Sequence, residues 1–127
     1  MLKAIHHVAI ICSDYSRSKA FYSQLLQLEI ICETYREDRD SYKLDLKLPD
    51  NSQIELFSFN GAPQRLSYPE AQGLRHLAFA VDDLALTVDY LQQNGVEVEP
   101  IRIDDLTDKA FTFFSDPDGL PLELYQV

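Results

Sequence analysis

The chain carries one pattern twice. Ile5-His6-His7-Val8-Ala9-Ile10 followed by Gln53-Ile54-Glu55-Leu56-Phe57 is matched by Leu74-Arg75-His76-Leu77-Ala78-Phe79 followed by Pro121-Leu122-Glu123-Leu124-Tyr125. His7 and His76 lie 69 positions apart, and Glu55 and Glu123 lie 68 apart. A repeat of this length constrains architecture more than any propensity does. A unit of about 65 residues is marginal alone and cannot bury its own sheet face, so two copies must share the task.

Each half predicts the same order of elements. Lys3 to Cys12 is a β-branched, apolar run expected to form a strand covered on both faces. Ser13 and Asp14 are N-cap candidates for a helix over 16–26, where Phe21, Tyr22, Leu25 and Leu26 recur at helical spacing. Leu28 to Tyr35 reads as a second strand. Tyr42 to Leu48 alternates strictly, as a half-buried strand should, and after the turn at Pro49-Asp50-Asn51 comes a fourth strand, Gln53 to Phe59. Residues 60–72, broken by Gly61, Pro63 and Pro69, serve as linker. The order then returns. Gly73 to Val81 is a strand; Asp82 or Asp83 caps a helix carrying Leu84, Val88 and Leu91; Asn94-Gly95 stops it. Val96 to Ile103 and Ala110 to Phe114 are strands, and the turn Asp116-Pro117-Asp118-Gly119 leads into the last, Pro121 to Gln126. The expected fold class is α+β. Two βαβββ units, 1–59 and 73–127, make a single domain over 1–127, with curved mixed sheets paired into a cupped, barrel-like cleft and helices outside.

Strand alternation tests whether the repeated His and Glu share a face. His7, Ala9 and Ile11 oppose Val8, Ile10 and Cys12; His76, Ala78 and Ala80 oppose Leu77, Phe79 and Val81. Glu55, Phe57 and Phe59 oppose Ile54 and Leu56, while Glu123 and Tyr125 oppose Leu122 and Leu124. All four fall opposite the bulky aliphatics. Two imidazoles and two carboxylates on one face suit a divalent ion, with Zn, Ni, Co and Mn all compatible with the mixed N/O set. His6 falls on the other face with Arg75 as its repeat partner, and reads as structural.

Bulk properties narrow the partners. A formal charge of −10 with pI near 4.5 excludes the basic surfaces that nucleic acid and anionic membrane require. The 46% hydrophobic content, with 7 Phe and 7 Tyr, is ample for a packed core. Cys12 and Cys32, each in an apolar run, are expected as buried thiols. Neither a signal-peptide design nor a membrane-length apolar run is present, so the cytoplasm is the expected compartment. Arg36, Arg39, Lys43 and Arg65 are the cations that can serve an anionic substrate.

At His7-Val8-Ala9-Ile10, Ser18-Lys19-Ala20-Phe21-Tyr22, Arg75 to Asp83 and Asp116 to Leu124 the chain resembles the vicinal oxygen chelate superfamily of glyoxalase I, bleomycin-resistance proteins and extradiol dioxygenases. Within it, the His/Glu/His/Glu set is most similar to glyoxalase I, a lactoylglutathione lyase. The resemblance implies that His7, Glu55, His76 and Glu123 are metal ligands. It also implies a metal-stabilised enediolate formed from an α-oxygenated carbonyl compound, with Glu123, or by pseudo-symmetry Glu55, as the proton-transferring base. Two positions that serve glutathione in bacterial glyoxalase I, an arginine and an asparagine, are Ile11 and Phe59 here. Recognition of glutathione is therefore not what these residues lead one to expect.

Rival readings are an extradiol-type dioxygenase, which favours ferrous iron held by two His and one carboxylate, and a metal-dependent resistance protein with fewer carboxylate ligands. A module that only binds a drug or metabolite is the rival outside enzymes. A complete ligand set requires a first unit facing a second, within a chain or between chains, and the resemblance points to a homodimer with the site across the interface.

Overall fold

The structure, a computed structural model, describes residues 1–127. It divides into two compact units, Met1–Gln64 and Arg65–Val127, with the boundary inside the segment read as linker.

The first unit runs β1 (His7–Cys12), α1 (Tyr15–Ala20), β2 (Glu29–Arg36), β3 (Ser41–Lys47) and β4 (Gln53–Ser58). Its four-stranded sheet has the order β1-β4-β3-β2, with β1 parallel to β4 and the other pairs antiparallel. The second unit repeats this with β5 (Leu77–Val81), α2 (Leu84–Gln93), β6 (Arg102–Ile103), β7 (Ala110–Ser115) and β8 (Pro121–Gln126) in the order β5-β8-β7-β6. These are the two βαβββ units of an α+β fold, each built on an open mixed sheet. No helix is long and apolar enough to cross a membrane.

Helix starts follow the capping chemistry. The Asp14 carboxylate accepts from Arg17 N at 3.1 Å, and that of Asp83 accepts from Leu86 N at 3.0 Å, each satisfying a donor that the first turn leaves free. After Ala20 the first helix widens into π-type turns over Phe21–Leu25, so the apolar spacing read at 16–26 spans two helix types. Tyr15 and Lys19 both reach Glu33 Oε2, at 2.5 and 2.8 Å, tying α1 to β2. The Lys19 ammonium and then the Tyr15 hydroxyl hold the Glu33 carboxyl below its ordinary range.

In both units the helix covers the aliphatic sheet face. Ile10, Cys12, Leu44, Leu46, Ile54, Leu56 and Tyr22 form the core of the first unit, and Leu84, Val88, Leu91, Leu122 and Leu124 are its counterparts in the second. The other face stays half-open.

Four expectations are corrected here. The first strand begins at His7, not Lys3, and the fifth at Leu77, not Gly73, because the residues before them have no strand partner. The strand read over 96–103 shrinks to Arg102–Ile103. Pro100 has no N–H to donate, and Glu99 reaches β7 through isolated bonds instead, from Glu99 N to Phe113 O and from Thr112 Oγ1 to Glu99 O. Cys12 is buried, but Cys32 is exposed, because β2 is an edge strand left bare on both faces.

The turn before β8 is held by a buried carboxylate. Asp116 Oδ1 accepts from Asp118 N and Leu120 N, both at 2.9 Å. Replacing Asp116 by alanine strands these two donors and is expected to cost about 2–3 kcal/mol. Asp116→Asn keeps an acceptor and is expected to cost less. Urea unfolding of the two variants checks the ordering.

Candidate metal and substrate site

Each unit brings its own histidine and glutamate together on the half-open face. In the first, Glu55 lies beside Ala9 across the parallel β1–β4 pair, and His7 Nε2 stands 3.6 Å from Glu55 Oε1. In the second, Glu123 lies beside Ala78 across β5–β8, and His76 Nε2 stands 2.9 Å from Glu123 Oε2. The small alanines leave room above them. Both carboxylates are well shielded, at 15% and 14% exposure, while the imidazoles are more open at 42% and 30%.

These separations fit ligands of one ion. With bonds of about 2.1 Å, neighbouring ligand atoms stand about 3.0 Å apart on an octahedron and about 3.4 Å apart on a tetrahedron. The observed 2.9 and 3.6 Å span that range. Neither unit by itself gathers three or more His, Cys, Asp or Glu side chains able to hold an ion; each presents one His–Glu pair.

The two halves differ in what surrounds the pair. His7 Nδ1 stands 2.9 Å from His6 Nδ1, with the rings edge-on. In the tautomer in which His7 Nδ1–H donates to His6 Nδ1, the His7 Nε2 lone pair is free to ligate. His6 therefore has a neighbour its strand parity concealed, and it is exposed rather than part of the core. His76 has no such partner. Its Nδ1 is buried without a hydrogen bond, and its ring lies edge-on to Phe113.

The carboxylates differ in the same way. Asp45 pairs with Glu55 across β3–β4, and Lys43 Nζ lies 3.2 Å from Asp45 Oδ1 and 3.7 Å from Glu55 Oε2. Asp45 raises the Lys43 pKa above the lysine range, with Glu55 adding to the effect, so the ammonium stays charged. Glu55 is thus held at both oxygens, one toward His7 and one toward Lys43. The residue across from Glu123 is Phe113, and the one ionisable side chain within ion-pair distance of it is His76.

The candidate substrate cations separate. Lys43 is engaged by two carboxylates. Arg39 is exposed in a 3-10 turn, Glu37–Arg39. Arg65 donates to Ser67 Oγ at 2.9 Å and to the Arg75 carbonyl at 3.4 Å. Arg36 lies over Phe57 and Phe59, its Cζ 4.8 and 5.4 Å from the ring centroids. The sequence reading missed Asp45 and His6 as neighbours of the ligands. A signal for Asp45 existed, since the β3–β4 register is symmetric about Asp50 in the turn and so sets Asp45 opposite Glu55.

The family described as Glyoxalase/Bleomycin resistance protein/Dioxygenase superfamily matches residues 4–124. The uncharacterized protein YwkD of Bacillus subtilis is 61% identical over 99% of this chain and 98% of its own length. More distant relatives are the metallothiol transferase FosB of Staphylococcus saprophyticus, 30% identical over 98% of this chain and 78% of its own, and a probable lactoylglutathione lyase of Synechocystis, 29% identical over 94% and 92%. Among solved structures, a glyoxalase family protein from Enterococcus faecalis superposes with a TM-score of 0.91 at 49% identity, covering 98% of both chains.

Proposed function

Because the chain belongs to the glyoxalase/bleomycin resistance/dioxygenase superfamily, we propose that it is a metal-dependent lyase or isomerase of the glyoxalase I type, acting on an α-oxygenated carbonyl compound. The observation that carries this reading is the duplicated His–Glu pair, with ligand-to-ligand separations suited to one ion. His7, Glu55, His76 and Glu123 are its four protein ligands, one divalent ion per set, with Zn, Ni, Co and Mn all suited to the donors. When bound, the ion supplies Lewis acidity to adjacent substrate oxygens. Glu55, held by Lys43 as well as facing His7, is the fixed ligand. Glu123, which has no lysine or arginine beside it, takes the proton from the carbon beside the carbonyl and returns it to the next carbon. His6 holds His7 in register for ligation.

A second reading has support in the relationship to FosB: the same ligands serving addition of a thiol to an electrophile. The fourth protein ligand favours the lyase, because the resistance-protein pattern has fewer carboxylates.

Elemental analysis of the purified protein after extensive dialysis is expected to find about one divalent ion per chain, as a single four-ligand set requires. His76→Ala is expected to reduce it sharply. Substoichiometric metal that His76→Ala does not lower further sinks the proposal. A screen of hemithioacetals and oxo-acids, with and without glutathione, then separates lyase from thiol transferase.

A further inference from the structure

We infer that the substrate carries a carboxylate on an extended arm, received by Arg36; this rests on the metal site proposed above. The starting point is a β-bulge. In β2 the register shifts between Ile30, paired with Leu46, and Cys32, paired with Asp45, so Ile31 is an extra residue. The bulge moves the rest of the strand by one face. Ile30 sits opposite a core leucine, whereas Cys32, Thr34 and Arg36 align with Asp45, Lys43 and Ser41 on the face that bears Glu55.

There Arg36 is fixed but not neutralised. Its guanidinium lies over Phe57 and Phe59, whose rings are stacked 5.7 Å apart, and its Nη2 donates to Ser41 Oγ at 3.0 Å. Its Nε is buried without a hydrogen-bond partner, and no carboxylate comes within ion-pair distance. The second unit supplies an internal control. Arg102 lies over Phe111 and Phe113 in the same manner, but Glu99 compensates it at 3.3 Å. In a chain with 21 acidic and 11 basic residues, a half-buried arginine left unpaired on the ligand face is a receptor for an anion. A stacked guanidinium presents its planar fork of donors, which matches a carboxylate.

The spacing sets the length of the arm. Phe57 and Phe59 lie two and four residues beyond Glu55 on one strand face, roughly 7 and 13 Å along it. A small oxo-acid is too short to reach both ends. A conjugate whose reacting carbon and terminal carboxylate are separated by that order of distance fits.

Two hydroxamates test this, since each chelates a metal through adjacent oxygens. Suberic acid monohydroxamate ends in a carboxylate, and octanohydroxamic acid has the same chain ending in a methyl. Calorimetry on the zinc-loaded protein is expected to show the carboxylate-ended probe binding about 10- to 100-fold tighter, the worth of one hydrogen bond to a charged group. Arg36→Gln is expected to abolish the preference while leaving octanohydroxamate affinity unchanged, which also shows that the variant is folded and loaded. Arg17→Gln, on α1, is expected to keep it. Equal binding of both probes by the unaltered protein, or a preference that survives Arg36→Gln, overturns the inference and leaves the metal site standing. Binding of neither probe overturns both.

Discussion

Replacing Glu123 by glutamine is expected to lower turnover by on the order of 100-fold or more while leaving metal content near that of the unaltered protein. Glutamine keeps an oxygen for the ion and removes the basicity. The substrate for this assay is the compound that the screen of hemithioacetals and oxo-acids identifies. The asymmetry between the pairs makes the prediction directional. Glu55 is held by Lys43 and faces His7, whereas Glu123 sits opposite Phe113 and faces His76 with no ammonium or guanidinium beside it. If the Glu123→Gln protein works at near the original rate, Glu55 becomes the base and Glu123 only a ligand.

The second large effect is a recovery of activity. His7→Ala and His76→Ala, each inactive alone, are expected to regain activity and tight metal binding when unfolded and refolded together. In a homodimer whose sites are each shared between chains, a mixed dimer has one site with both lesions and one with neither. Random pairing of equal amounts then restores about a quarter of the sites, given two-fold closure. If every site is built within one chain, each keeps a lesion and nothing returns. Light scattering that finds a stable monomer also rules out the shared site.

The phase of the strands was the most legible part of the fold. His7, Glu55, His76 and Glu123 all oppose bulky aliphatics in the sequence, and in the structure those aliphatics lie under the helices while each His meets its Glu. Period-two alternation suffices for this because β1, β4, β5 and β8 are regular. What was hidden depends on departures from that regularity. The bulge at Ile31 inverts the parity of β2, so no count along Leu28 to Tyr35 places Arg36 beside Phe57. Strand ends were misjudged at Lys3 and Gly73 because an apolar run marks burial, whereas a strand also needs a partner. Pro100 in the run over 96–103 was a visible breaker to which the reading of one continuous strand gave no weight. The contact of His6 with His7 is between adjacent residues on opposite faces, where alternation predicts separation.

The parallel pairs β1–β4 and β5–β8 position the four proposed ligands, while β2 and β6 lie at the far edges of their sheets and share neither length nor composition. Eight residues stand at one edge and two at the other, yet the His–Glu pairs remain matched. The chain thus separates what must stay constant from what is free to diverge. The outer strand can lengthen, bulge or change its charge, and so change which substrate it meets, without disturbing the His–Glu pairs on the inner strands.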